Sequence, residues 1–205
     1  MLTVLVGLTG CDQTPYLVTK ADKEWDAAVD ANNGAQAVLY LSNASIEHGD
    51  KIATMALTAT KSQVKALPAY ERFEVLQARL LMKLDGLKTI DGRTFYAGCV
   101  NHGWVYSTSV LRRQKVVVGG TKTSAVIYYK MPPNAPPLRS QWFLEDRQWK
   151  CDITRIDGDP DAHWLEEARV EGKSVDDYMI AQLEELNGDQ LSSSIWEPVA
   201  PAKKK

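Results

Sequence analysis

The side chains of this chain that most readily do chemistry belong to three histidines and three cysteines. His48, His102 and His163 are far apart, and none has a cysteine or carboxylate at a spacing typical of metal ligands. The sequence also contains no glycine-rich phosphate loop and no nucleophilic serine elbow. We therefore expect no metal site and no cofactor, and function must be sought in other patterns.

Cys11 follows an apolar, uncharged run, MLTVLVGLTG. The segment from Leu8 to Cys11 resembles the lipobox of bacterial lipoproteins, in which the cysteine thiol receives a diacylglyceryl group and becomes the new N-terminus. Two acyl chains anchor a protein stably, where a single chain is marginal. The resemblance implies a signal-peptide-like segment over 1–10, a lipidated Cys11 with a linker over 11–20, and a lipid anchor in a membrane of the bacterial envelope, facing the periplasm or the exterior.

Two alternatives stay open at this end of the chain. No Lys or Arg precedes the apolar run, so either translation starts upstream or the signal is degenerate. The run is also compatible with a buried first strand in which Cys11 is incidental. The polar stretch from Asp12 to Pro15 favours the lipoprotein.

If Cys11 is acylated, Cys99 and Cys151 form an even pair in an oxidising compartment. A disulfide between them and two buried free thiols are both compatible with the sequence, because spacing alone does not place their Cα atoms. We favour the free thiols.

Length and charge limit the class of protein. The 205 residues suggest one domain with an appendage, and the net charge of −2 gives no electrostatic case for a nucleic-acid partner. We expect an α+β domain over 21–155, a helical extension over 156–198 and a disordered, lysine-rich tail over 199–205.

The first half of the domain is expected to be helical. We predict a helix over 21–31, helical structure over 35–65 with a break near His48–Asp50, and a helix that begins near Pro68. Arg79 falls mainly on the wet side of this last helix. Its buried stripe is predicted to comprise Phe73, Leu76, Leu80 and Leu84. A further helix follows Asp91.

Two β-hairpins are expected after these helices, the first over 115–129. A two-residue turn at Asp146 and Arg147 defines the second, although Arg147 suits the positive φ of that turn poorly. This register pairs Leu144 with Trp149 and Trp142 with Cys151 on one apolar face. Asp152 falls on the opposite, polar face.

The last segment turns helical again. Ala162–Val170 is predicted to be a short helix. Ser174 resembles a helix N-cap and Gly188 a C-cap. Trp196 is expected to dock back onto the body of the domain.

Three motifs resemble the nuclear-transport-factor-2-like superfamily, which includes SnoaL and ketosteroid isomerase, and in particular its uncharacterised bacterial lipoproteins. They lie over 66–79, over 91–104 and over 143–153, the last reading FLEDRQWKCDI. The resemblance implies a curved antiparallel sheet wrapped as a cone around N-terminal helices, with an apolar pocket inside. Trp104, Trp142, Leu144 and Trp149 are the expected pocket walls.

Enzymes of that superfamily place a basic group and a hydroxyl donor in the pocket, which makes His102 and Tyr96 the candidates for catalysis here. We expect non-catalytic binding of a small apolar ligand or a protein partner. The alternatives are a SnoaL-type isomerase or hydrolase that uses His102 and Tyr96, and a structural subunit of an envelope assembly.

Overall fold

The protein has a mixed α+β fold. A computed structural model describes residues 12–133, 135, 137–154 and 159–199. The helices before the sheet are α1 (Thr14–Asp30), α2 (Gly34–Ala37), a 3₁₀ helix (Val38–Tyr40), α3 (Asn43–Thr58), α4 (Lys61–Lys65), α5 (Ala69–Leu84) and α6 (Gly92–Asn101). The strands are β1 (Arg113–Val118), β2 (Ser124–Tyr129), β3 (Arg139–Glu145) and β4 (Gln148–Asp152). They are followed by α7 (Pro160–Val170), α8 (Val175–Asn187) and a second 3₁₀ helix (Ser193–Trp196).

The four strands form an open antiparallel sheet in the order β1-β2-β3-β4. Both predicted hairpins are confirmed. In the second, Leu144 pairs with Trp149 and Trp142 pairs with Cys151, as the alternation of apolar residues predicts. Asp146 and Arg147 form the two-residue turn with φ of 49° and 65°, the positive values that type I′ geometry requires.

Helix α1 packs across the sheet and begins at Thr14, well before the predicted 21–31 helix. Pro15 occupies its first turn, where a missing N–H costs nothing. The helix buries a stripe at steps of three and four residues, the periodicity of an amphipathic helix. This stripe comprises Val18, Ala21, Trp25, Ala28 and Val29. Most of the expected 11–20 linker is therefore helix.

Helix α3 runs without interruption through His48–Asp50, so the predicted break is wrong. Gly49 lies where α6 crosses α3, and a Cβ at this position would lie 2.7 Å from the ring of Tyr96. The cost of a helical glycine, about 1 kcal/mol, is offset by this close packing. The glycine therefore marks a helix crossing and not a helix end.

Helix α5 corrects two further predictions. Leu76 and Leu80 are buried as expected, but Leu84 is exposed. Arg79, predicted to lie on the wet side, is only 1% exposed. Its guanidinium donates to the carbonyl oxygens of Ala56 at 3.0 Å and Ile195 at 3.3 Å, so backbone acceptors replace the water that a charged group otherwise needs.

The C-terminal segment packs on the same core as the rest of the chain. Helices α7 and α8 contact α5, and Ile195 and Trp196 are buried in the main hydrophobic cluster. The Ser174 N-cap and the Gly188 C-cap are both confirmed, the latter with φ of 77°. The docking of Trp196 is confirmed as well.

Asp152 corrects the assignment of faces in β4. The register is as predicted, yet Asp152 is buried. Ser45 of α3 lies against this strand end, where its hydroxyl is 3.5 Å from Oδ1 of Asp152. β4 is an edge strand, and the start of α3 lies along this edge, where the Ser42 amide donates to the carbonyl oxygen of Cys151 and the Ile153 amide donates to the Ser45 hydroxyl. Asp152 is therefore buried by contacts at the edge of the sheet, which strand alternation cannot reveal.

Candidate functional site

An open groove of about 600 Å³ lies between the start of α1, the first 3₁₀ helix and the β3–β4 hairpin. Binding sites for small molecules commonly measure about 300–1,000 Å³. Its lining residues are Thr14, Leu17, Lys20, Ala21, Glu24, Gln36, Leu39, Tyr40, Lys122, Leu144, Arg147, Gln148 and Trp149. Leu17, Leu39 and Leu144 are exposed there, so the apolar floor of the groove is accessible to a ligand.

Polar side chains form the rim of this groove. Tyr40 donates to Oε2 of Glu24 at 3.2 Å, and burial followed by the charge of Glu24 raises the pKa of Tyr40. Lys20 is 3.8 Å from Glu24. A floor of apolar side chains with charged groups at the edge suits a ligand that has both apolar and polar parts.

The groove also lies next to the point where the described chain begins. Lys122, from the loop between β1 and β2, forms an ion pair of 3.1 Å with Asp12. Hydrogen bonds from Thr14, together with Lys122, lower the pKa of Asp12 to about 2. Asp12 is therefore ionised at neutral pH, and its ion pair with Lys122 keeps it beside the groove. Asp12 is the residue that directly follows Cys11.

The four residues expected to form pocket walls separate in the structure. Leu144 and Trp149 line the groove. Trp142 is completely buried, with 0% exposure, and its indole N–H donates to the hydroxyl of Ser140. Trp104 lies at the end of α6 against His102, with ring centroids 5.0 Å apart. The interior position expected for a pocket is thus occupied by the side chain of Trp142.

A buried acidic network lies between α1 and the sheet. Asp22 and Asp26, one helical turn apart, are 1% and 2% exposed. Arg113 of β1 donates to both, with Nη2 at 2.5 Å from Oδ2 of Asp26. Tyr129 donates to Oδ1 of Asp22 at 2.6 Å, and its hydroxyl lies 3.0 Å from that of Ser140.

Burial raises the pKa of Asp22, and the hydrogen bonds from Tyr129 and Arg113 oppose that rise. Trp142 donates to Ser140 at 2.8 Å, which extends the network into the core. These groups bond to one another across the contact between α1 and the sheet, so the network fixes α1 on the sheet. These two carboxylates were not identified from the sequence. The signal that could have identified them is their position within the apolar face of α1.

A second polar cluster joins α3 to α5. Nε2 of His48 lies 2.7 Å from Oε2 of Glu74 and 2.8 Å from the hydroxyl of Tyr70. Burial, followed by the charge of Glu74, raises the pKa of Tyr70. The three side chains could exchange a proton, but none of them lines the groove. The cluster is best explained as a contact between the two helices.

The two residues proposed for catalysis do not form a site together. His102 ends α6, its side chain is 31% exposed, and Nε2 is 2.9 Å from Oδ1 of Asp85. Tyr96 is buried against Phe95, and burial raises its pKa. Their six-residue separation corresponds to about 9 Å along the helix axis. The expectation that His102 faces the interior is wrong.

The remaining reactive groups are also accounted for. Cys99 and Cys151 are buried free thiols in this structure. No group of three or more His, Cys, Asp or Glu side chains among the described residues could hold a metal ion. Cys11 lies outside the described residues. None of the helices in the described part of the chain is long and apolar enough to cross a membrane.

Comparisons of the chain with protein family models, curated proteins and solved structures find no match. The groove therefore stands on its own geometry and chemistry.

Proposed function

We propose that this protein is an envelope lipoprotein, anchored through Cys11, whose α+β domain binds a small ligand with a substantial apolar part in the groove. The observation that carries the proposal is the position of the groove beside Asp12. An acylated Cys11, one residue earlier, would hold the opening of the groove close to the membrane surface. In this proposal the domain is cone-like, with α1 packed against one face of the curved sheet.

The groove favours a small ligand over a protein partner and over catalysis. A concave site of this volume encloses a small molecule, whereas stable protein interfaces commonly bury about 800 Å² on each partner. A SnoaL-type reaction would need His102 and Tyr96 to face one pocket, and neither lines this groove. Binding without chemical conversion is therefore the function that we propose.

The anchor is tested by labelling cells with radioactive palmitate. We expect label on the wild-type protein expressed from its native gene, and none on the Cys11→Ala variant. Equal labelling of the two proteins, or a wild-type protein in the cytosolic fraction, would refute the anchor.

The groove is tested by native mass spectrometry of the full chain carrying Cys11→Ser, purified from cell extract without detergent. We expect a bound small molecule, and we expect Leu144→Asn to reduce its occupancy. Val117→Asn is the matched control, because Val117 and Leu144 are both strand residues with 39% exposure and Val117 lies outside the groove. Absence of any bound mass, or equal loss in both variants, counts against the groove.

A further inference from the structure

The turn of the β3–β4 hairpin contains an arginine in a backbone conformation that favours glycine. Arg147 has φ of 65° and Asp146 has φ of 49°. Aspartate tolerates the left-handed region comparatively well, but a long side chain with a Cβ is disfavoured there. Glycine is a preferred residue at the second position of this turn. Strained residues of this kind concentrate at functional sites. The conformation of Arg147 therefore indicates a functional role for its side chain.

That side chain reaches the groove. Arg147 lines it together with Leu144 and Trp149 of the same hairpin. Arg147 is itself exposed, so its guanidinium is free to meet a ligand at the rim.

The charges around the groove are unequally matched. Lys122 pairs with Asp12 and Lys20 pairs with Glu24. The guanidinium of Arg147, by contrast, forms no hydrogen bond or ion pair with any residue in the described part of the chain. Among the described residues, Arg147 is thus a groove cation without an anionic partner.

We propose that the ligand of the groove is a long-chain fatty acid in its anionic form, with its carboxylate on Arg147 and its hydrocarbon chain on the apolar floor. This inference rests on the proposed function and names its ligand class. A planar guanidinium offers two parallel N–H donors to a carboxylate, which gives direction as well as affinity. Leu17, Leu39 and Trp149 supply the apolar surface for the chain.

The test compares palmitate with hexadecanol, which has the same chain length and no charge. Binding of each to the full chain carrying Cys11→Ser is measured by displacement of a fluorescent fatty-acid analogue at pH 8. We expect palmitate to bind at least about tenfold more tightly, the ratio expected for a charge-assisted hydrogen bond. We expect higher salt to weaken palmitate binding more than hexadecanol binding.

Arg147→Gly removes the charge and gives the turn a preferred residue. We expect it to abolish the preference for palmitate over hexadecanol and to raise the urea midpoint of unfolding. Asp146→Gly is the matched control, since it relaxes the same turn and Asp146 does not line the groove. We expect this control to keep the preference for palmitate.

Three results would overturn the inference. Equal affinity for palmitate and hexadecanol in the wild-type chain would show that the carboxylate does not contribute to binding. The proposed function, binding of a ligand with an apolar part, would still hold. A preference for palmitate that survives in Arg147→Gly would place the carboxylate elsewhere. If neither probe binds, both the inference and the proposed binding of an apolar ligand in the groove are refuted.

Discussion

The backbones of Gly49 and Gly92 meet so closely that a Cβ on Gly49 would lie 2.8 Å from the Cα of Gly92. The contact brings α3 against α6, and Oδ1 of Asp50 accepts a hydrogen bond from the Gly92 amide at 2.6 Å. Two glycines that are far apart in sequence therefore set the distance between two helices of the core.

Gly92→Ala is expected to destabilise the protein by about 1–3 kcal/mol, the usual cost of overpacking. Its Cβ would lie 2.3 Å from the carbonyl oxygen of Ile46, and a backbone atom cannot move aside as a flexible side chain can. Urea unfolding measures the change. Gly120→Ala is the control, because no atom lies within 4 Å of a Cβ there. Equal effects of the two changes would contradict the close crossing.

Arg79→Met is expected to lower the free energy of unfolding by about 3 kcal/mol. The change leaves the carbonyl oxygens of Ala56 and Ala59, near the end of α3, without their charged donor. Arg169→Met serves as the control, because Arg169 is exposed and pairs with Glu166 on the same helix. The control should change stability by less than about 0.5 kcal/mol. A loss in Arg79→Met no larger than this would mean that the buried guanidinium is dispensable.

Tyr129→Phe is expected to destabilise the protein more at pH 7 than at pH 4. The pKa of Asp22 is higher in the folded state than in the unfolded state, so stability falls as pH rises through the interval between the two values. Removing the donor from Tyr129 raises the folded pKa further and widens that interval. We expect a loss of about 1–3 kcal/mol at neutral pH.

Urea unfolding at several pH values measures this effect. Tyr16→Phe provides the control because Tyr16 is exposed. A loss in Tyr129→Phe that is independent of pH would mean that Tyr129 does not stabilise the charge of Asp22.

The thiols of Cys99 and Cys151 are expected to resist Ellman's reagent in the folded protein. Burial raises the pKa of both thiols well above the usual range, and the thiolate is the reactive form. In the Cys11→Ser chain we expect no reaction in native buffer and reaction of both thiols in denaturant without reductant. No free thiol in denaturant would instead demonstrate a disulfide.

The β3–β4 hairpin could be predicted in detail because its information is local. The alternation of apolar residues places Trp142, Leu144, Trp149 and Cys151 on one face, and this leaves a single consistent register. The same holds for the caps at Ser174 and Gly188, where a hydroxyl or a glycine acts on its own helix. Such features need no knowledge of distant residues.

The candidate site could be predicted only in part. Leu144 and Trp149 were expected in a pocket inside a cone, which stays a prediction. In the structure both line the open groove, because they pair across the hairpin on the same face of the sheet. Trp142 shares that face but is completely buried, and strand alternation does not distinguish it from Leu144. Arg147 was identified as a poor turn residue, and only the assembled structure places its side chain at the groove.

By itself the sequence determined the α+β class, the two hairpins and the register of the second hairpin. Each of these depends on residues that are neighbours in the chain. Only the tertiary structure decided that Arg79, Asp22 and Asp152 are buried, that Gly49 lies at a helix crossing, and that a groove opens beside Asp12. The physical reason is that a charged or polar group is buried only where distant segments supply its hydrogen-bond partners, and local periodicity carries no record of those partners.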